Sequence, residues 1–273
     1  DEKTTNIEDR MWGAEVIKNG YRIHYTPHAS VYHYHGINQG GKLDRAQKIV
    51  NIIENLEGPA ISLSKLIVDK LNIIGLIPIK GSPTLFEGRN LLVESIGYLK
   101  ECSLISEVYV STDNFETAKI AKNNGGLAPF IRPIELSSED VGLPDVLKYS
   151  LEEIEKIRKV DLVVIVEENY PFRPEELPNK LINNIIEGGY DTVCASIIEE
   201  RSIWLDTQET ISSIGDSRMG SRSVKPEKIH INLFGLGAVT YVDNIRNKKI
   251  LSNKVGLSSV PAYPYSFQIN KNS

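Results

Sequence analysis

Lys80, Gly81, Ser82, Gly88 and Arg89 fall within one short loop directly behind the apolar run Ile73 to Ile79. Two cations and three small residues at a strand's end are what phosphate binding uses: exposed amides, a helix N-terminus behind them and opposite charge. Glycine and lysine also serve turn geometry alone, so the spacing supports two readings. Asp113 closes a second apolar run in the same way, and reads either as a helix cap or Asx turn or as a ligand contact. Arg218 and Arg222 flank a polar stretch. Arginine there suits a carboxylate by geometry, or simply stands solvated on a loop. His24, His28, His33 and His35 cluster near the start. His33-Tyr34-His35 alternates like a strand and would place both rings on one face, for a metal or for ordinary strand-end hydrogen bonds.

Regular elements must position these groups. Ile73–Ile79 is apolar with almost no alternation, as a parallel strand buried on both faces requires. Leu91, Leu92, Ser95, Ile96 and Leu99 show helical spacing, and Val108 to Val110 is a second buried strand, which completes a βαβ unit. Helices follow over Phe115–Lys122 and Leu143–Ile157, with a short strand over Leu127–Ile131 between them. Asp161–Val166 is a further buried strand, and a helix ending at Ile186 leads to a strand over Asp191–Ile198. Trp204 with Asp206-Thr207-Gln208 suggests a hairpin, and His230 alternates with apolar neighbours as a structural residue. The order predicts an α/β fold with a doubly wound, mainly parallel Rossmann-like sheet.

The chain has 273 residues, 41% of them hydrophobic, enough for a substantial core. A net charge of -5 gives no basic surface for nucleic acid. No apolar run reaches the roughly 20 residues of a membrane span, and no signal-peptide pattern is present. Cys102 and Cys194 read as buried thiols of a reducing cytoplasm. Asp1 is not an initiator methionine, which suggests a piece of a longer chain.

Residues 1–58 differ from the rest, residues 59–71 read as a connector helix, and residues 72–273 form the regular α/β domain. Glu8-Asp9-Arg10-Met11-Trp12 followed by Gly20 to Gly36 resembles the C-terminal end of a family 2 glycosyltransferase, over about residues 1–36. That resemblance implies a short α+β fragment in which Asp9 is the base on an acceptor hydroxyl. It puts His33 or His35 beside a donor diphosphate, and it places the nucleotide-binding half in an upstream domain.

From about residue 73 to 270 the chain resembles the acylneuraminate cytidylyltransferases. The resemblance rests on Ile77-Pro78-Ile79-Lys80-Gly81 with Gly88-Arg89-Asn90, Val110-Ser111-Thr112-Asp113, Pro129 to Leu136, Asp145-Val146-Leu147 and Pro171-Phe172-Arg173. It implies transfer of CMP from CTP to a hydroxyl of an acidic, sialic-acid-like sugar, with pyrophosphate released, Mg²⁺ as cofactor and a homodimer. Lys80 and Arg89 would be the catalytic cations. Lys80, Gly81, Ser82, Arg89, Asn90, Asp113 and Glu167 would hold the nucleotide, and Arg132, Arg173, Arg218 and Arg222 the sugar; Arg132 could instead brace its own loop.

The chain also departs from that pattern. The usual Arg-Gly-Gly-Ser-Lys-Gly becomes Lys80-Gly81-Ser82-Pro83-Thr84-Leu85, which removes one cation and the bidentate fork of another. The usual Gln-Pro-Thr-Ser-Pro becomes Glu167-Glu168-Asn169-Tyr170-Pro171. A magnesium-binding Asp-Ile-Asp becomes Gln268-Ile269-Asn270, so Gln268 and Asn270, with Glu168 as a substitute carboxylate, are the metal candidates. Two expectations therefore stand beside each other. One is a sugar-activating enzyme in surface-polysaccharide synthesis; the other is a catalytically impaired nucleotide-binding or dimerisation domain serving the glycosyltransferase.

Overall fold

The computed structural model describes residues 12–13, 15–16, 18–19, 70–138, 140–199, 201, 203–207, 209–214, 228–251 and 254–269. The chain divides into two units, Asp1–Leu66 and Ile67–Ser273. In the first, Trp12, Gly13, Glu15, Val16 and Lys18 are helical, and the Asn19 amide donates to the Glu15 carbonyl at 2.9 Å. Asp9 and the four clustered histidines lie outside the described residues, as does the connector apart from Lys70 and Leu71.

The second unit is built on β1 (Ile73–Ile79), which is buried along nearly its whole length. It pairs in parallel with β4 (Glu107–Thr112) on one side and β5 (Leu162–Ile165) on the other. Its residues alternate between two cores: Ile73, Ile77 and Ile79 in one, Ile74 and Leu76 in the other. That two-sided cover explains the unbroken apolar run. Between β1 and β4 the chain forms a small hairpin of β2 (Leu85–Phe86) and β3 (Arg89–Asn90), then helix α1 (Leu91–Glu101). Gly75 lets α1 lie close on β1, because a Cβ there would stand 2.8 Å from Leu99 Cδ1.

After β4 come α2 (Phe115–Asn123), a 3₁₀ turn (Ile134–Ser137) and α3 (Leu143–Glu155), which leads into β5. The expected strand over Leu127–Ile131 is reduced to one parallel bridge between Leu127 and Tyr109. Pro129 and Pro133 flank Arg132 and have no N–H to continue a ladder, so the chain turns away instead.

Beyond β5 lie α4 (Leu177–Gly188), β6 (Thr192–Glu199), β7 (Ile203–Asp206), β8 (Ile211–Ile214), β9 (Ile229–Asn232), β10 (Ala238–Tyr241), α5 (Val242–Arg246) and β11 (Val255–Ser259). The sheet order is β11-β6-β10-β5-β1-β4, with β9 also on β6. Strand β10 runs antiparallel between β5 and β6, while β11 is parallel to β6. The sheet is thus mainly parallel with helices on both faces, as the sequence order predicts. The expected hairpin at Trp204 is present as β7–β8, apart from the main sheet and exposed on both strands. His230 is in β9, its Nδ1 3.2 Å from Ser196 Oγ. Among the described residues, no helix is long and apolar enough to cross a membrane.

Candidate nucleotide site

The chain leaves β1 toward β4 on one side and returns through β5 on the other, so the carboxyl ends of these strands diverge. Open α/β sheets hold ligands in that crevice. A cleft of about 390 Å³ opens there. Lys80, Arg132, Glu167, Glu168 and Asn169 border it, opposite an apolar wall that includes Leu136, Val141 and Val146. The volume and the mix of apolar wall with few polar groups suit a small ligand.

The loop after β1 is held open as a turn. Gly81 adopts φ +67°, with open space where a Cβ would be, so conformation rather than crowding calls for glycine. Its N–H donates to Asp113 Oδ1 at 2.8 Å, and its carbonyl accepts from the buried Thr117 hydroxyl at 2.7 Å. The loop's far end is tied by Thr84, whose N–H and hydroxyl both donate to the buried Glu168 carboxylate. The hairpin turns on Glu87 (φ 50°) and Gly88 (φ 76°), the two left-handed residues of a type I′ turn. Phe86 then packs on Phe172 and Phe267, with ring centroids 6.0 and 5.9 Å away.

These contacts define what the expected residues do. Lys80 and Ser82 are exposed, and Lys80 lines the cleft. Arg89 lies 5.3 Å over the Phe86 ring and pairs with Glu94 at 3.1 Å. Asn90 caps α1, its side chain accepting from the Leu92 and Val93 amides. The corresponding cap of α2 is Asn114 rather than Asp113, leaving the Asp113 carboxylate to hold Gly81. Arg132 is buried and donates to Ser111, Ser137 and the carbonyl of Ile79, so most of its fork binds the ends of β1 and β4. Arg173 donates to the Leu236 carbonyl at 2.9 Å, to Ser95 Oγ at 3.3 Å and to the Glu167 carbonyl. Arg218, Arg222 and Asn270 lie outside the described residues.

The electrostatics follow this packing. Burial pushes the Asp113 pKa up, but the Gly81 amide, the Ser137 hydroxyl and the Arg132 guanidinium outweigh it and leave the carboxyl below its ordinary value. A carboxyl lowered on folding stabilises the fold above its unfolded pKa, and the contribution is lost as pH falls through the folded value. Asp113→Asn is therefore expected to be less stable than the unaltered chain at neutral pH, with the gap closing below about pH 4. Urea unfolding at several pH values measures this; a gap independent of pH would remove the charge from the account. Burial also lowers the Arg132 pKa, against the pull of Asp113. Glu167 is raised by burial, with Arg173 opposing.

The residues expected to hold Mg²⁺ are differently placed. Glu168 is engaged by Thr84, and Gln268 is exposed on the C-terminal segment. Among the described residues no three acidic, histidine or cysteine side chains gather as a metal site. Glu167 is the carboxylate at the cleft that fits a cation: a nearby positive charge would offset the burial that raises its pKa. Mg²⁺ commonly uses one or two carboxylates together with substrate phosphates.

Sequence reasoning passed over Asn169, Thr84, Thr117 and the Phe86–Phe172–Phe267 cluster. Only an apolar residue at 86 and at 267 could have hinted at the last.

No family model matches the chain, and no curated protein matches it. Solved structures do. A CMP:2-keto-3-deoxy-manno-octonic acid synthetase determined with CTP is 12% identical, with a TM-score of 0.51 over 69% of this chain and 90% of that one. The 4-diphosphocytidyl-2C-methyl-D-erythritol synthase of Anaerococcus prevotii is 15% identical, with a TM-score of 0.53 over 75% and 93%. A second 4-diphosphocytidyl-2C-methyl-D-erythritol synthase structure gives 10% and 0.50 over 74% and 93%. The α/β unit of this chain therefore has a cytidylyltransferase-like, nucleotidyltransferase-type Rossmann-like fold.

Proposed function

We propose that this fold carries out CTP-dependent nucleotidyl transfer to an acidic, sialic-acid-like sugar. The observation that carries the reading is the cleft at the diverging ends of β1, β4 and β5, with Lys80 in its lining. A sugar hydroxyl attacks the α-phosphorus of CTP and loses its proton. The bond from that phosphorus to the bridging oxygen breaks, and pyrophosphate leaves. Lys80, with Ser82 beside it, meets the triphosphate, while Gly81, whose N–H and carbonyl are taken by Asp113 and Thr117, shapes the turn; preorganised charge of this kind lowers the barrier where charge gathers. Arg89 steadies the hairpin beside it. Glu167 would hold Mg²⁺ together with the phosphates, and the ion when bound supplies charge neutralisation. Arg218 and Arg222 are assigned to the sugar carboxylate.

The β7–β8 hairpin bears Trp204, Leu205, Ile211 and Ile214 in exposed positions. A lone two-stranded hairpin is marginal in water, so a homodimer partner is its proposed cover. The proposed setting is the cytoplasm, beside an upstream glycosyltransferase domain in polysaccharide synthesis. A second reading, binding without turnover, is favoured by the engagement of the Glu168 carboxylate by Thr84, which draws the substitute metal ligand into the fold. Pyrophosphate release from CTP and Mg²⁺ across a panel of acidic sugars, with calorimetric nucleotide binding and light scattering on the same samples, separates these. Release with one sugar is expected. Binding alone supports the second reading, no binding ends both, and a monomer ends the dimer assignment.

A further inference from the structure

The central strands have a second cavity at their other end. About 660 Å³ opens at the amino ends of β1 and β4, away from the nucleotide cleft at their carboxyl ends. Its apolar wall comes from Leu127, Ala128, Pro129 and Ile157, together with the ring of Tyr109. The wall is fixed to β4: the Leu127 N–H donates to the Val108 carbonyl, and the Val110 N–H to the Leu127 carbonyl, both at 2.8 Å. Leu127 is 39% and Ile157 62% exposed, so the fold leaves apolar surface here uncovered. A cavity of this volume and lining is in the small-molecule range.

The charges around it are unbalanced. Among the described residues that line it, Glu107 is the one carboxylate. It is engaged from within, because the Tyr109 hydroxyl donates to its Oε2 at 2.6 Å and Arg158 pairs with it. The Tyr109 hydroxyl, with Arg158, holds the Glu107 carboxyl below its ordinary value, against the effect of burial. Lys122, in the last turn of α2, and Lys159 line the same cavity. Among the described residues neither lysine is in an ion pair. Charges of one sign beside an apolar wall concentrate the field on whatever enters.

We infer that this cavity binds a small amphiphilic anion, a carboxylate, sulfonate or phosphate carried on an aromatic or branched apolar body. The acid group meets Lys122 and Lys159, and the body lies against Leu127, Ile157 and the Tyr109 ring. The site is separate from the nucleotide cleft and stands whether or not that cleft takes CTP.

The test titrates the protein with 8-anilinonaphthalene-1-sulfonate and with N-phenyl-1-naphthylamine, which has the same rings without the charge, and reads fluorescence. At low salt the double variant Lys122→Glu, Lys159→Glu is expected to bind the sulfonate about tenfold more weakly, and the uncharged probe equally well. The same net charge placed elsewhere, in Lys180→Glu with Lys249→Glu, is expected to leave both affinities within about twofold. All four lysines are exposed, so both proteins are expected to fold, which circular dichroism checks. Ile157→Ser is expected to weaken both probes about threefold, since it removes part of the wall they share. Unchanged sulfonate affinity in the Lys122→Glu, Lys159→Glu protein overturns the assignment. An equal loss in the Lys180→Glu, Lys249→Glu protein also overturns it, because net charge alone would then explain the binding. An equal loss of the uncharged probe in the first double variant overturns the choice of an anion.

Discussion

Arg173→Met is expected to lower the melting temperature by roughly 10 °C. Arg173 links three segments: the Leu236 carbonyl of the turn before β10, Ser95 of α1 and the Glu167 carbonyl at the cleft. Its guanidinium lies 5.4 Å from the Tyr98 ring and 5.9 Å from that of Tyr170. Burial pushes its pKa down to about 10, which still leaves it charged at neutral pH. Hydrogen bonds to a charged group contribute about 1.5–3 kcal/mol each, but they share one side chain and are not additive. A total near 3–4 kcal/mol corresponds to that temperature shift for a domain of this size. Arg173→Lys is expected to recover little, because one ammonium cannot span acceptors placed for a fork. A melting temperature within 2 °C of the unaltered chain would remove Arg173 from the fold's main supports.

Lys80→Met is expected to weaken CTP binding about 30-fold. The turn that carries Lys80 is fixed by Asp113 and Thr117 through the backbone of Gly81, so the variant keeps the turn and loses the charge. One charge-assisted contact to phosphate accounts for about 2 kcal/mol, which is about 30-fold. The salt dependence of binding is expected to flatten as well, because an exposed charge is screened. Equal affinity in calorimetry would place the triphosphate elsewhere.

The central strands were legible because their burial on both faces leaves an unbroken apolar run, as in β1 and β5. Helix α3 was legible from Val146, Leu147, Leu151 and Ile154 on one stripe. Strand β10 was not. It has four residues, and nothing in Ala238-Val239-Thr240-Tyr241 says that it inserts antiparallel between β5 and β6. The site was legible by location and less so by role. Lys80, Arg132 and Glu167 do share one cleft, yet Asn90 and most of Arg132 serve the fold. A helix cap before Leu91 was available to sequence reasoning. The tie of Thr84 to Glu168 was not, since it joins residues 84 apart in sequence.

The place of β10 also bears on where the chain can be cut. Strand β5 has β1 on one side and β10 on the other, and β6 reaches the rest of the sheet only through β10. A fragment ending after Ile214 would hold β4–β1–β5 and β6 as separate pieces, each with a bare edge. Such edges are templates for the backbone of another molecule and invite aggregation. The shortest stretch of this chain that keeps β6 joined to β4–β1–β5 therefore runs from Ile73 through Tyr241, and truncation or domain-swapping schemes must respect that span.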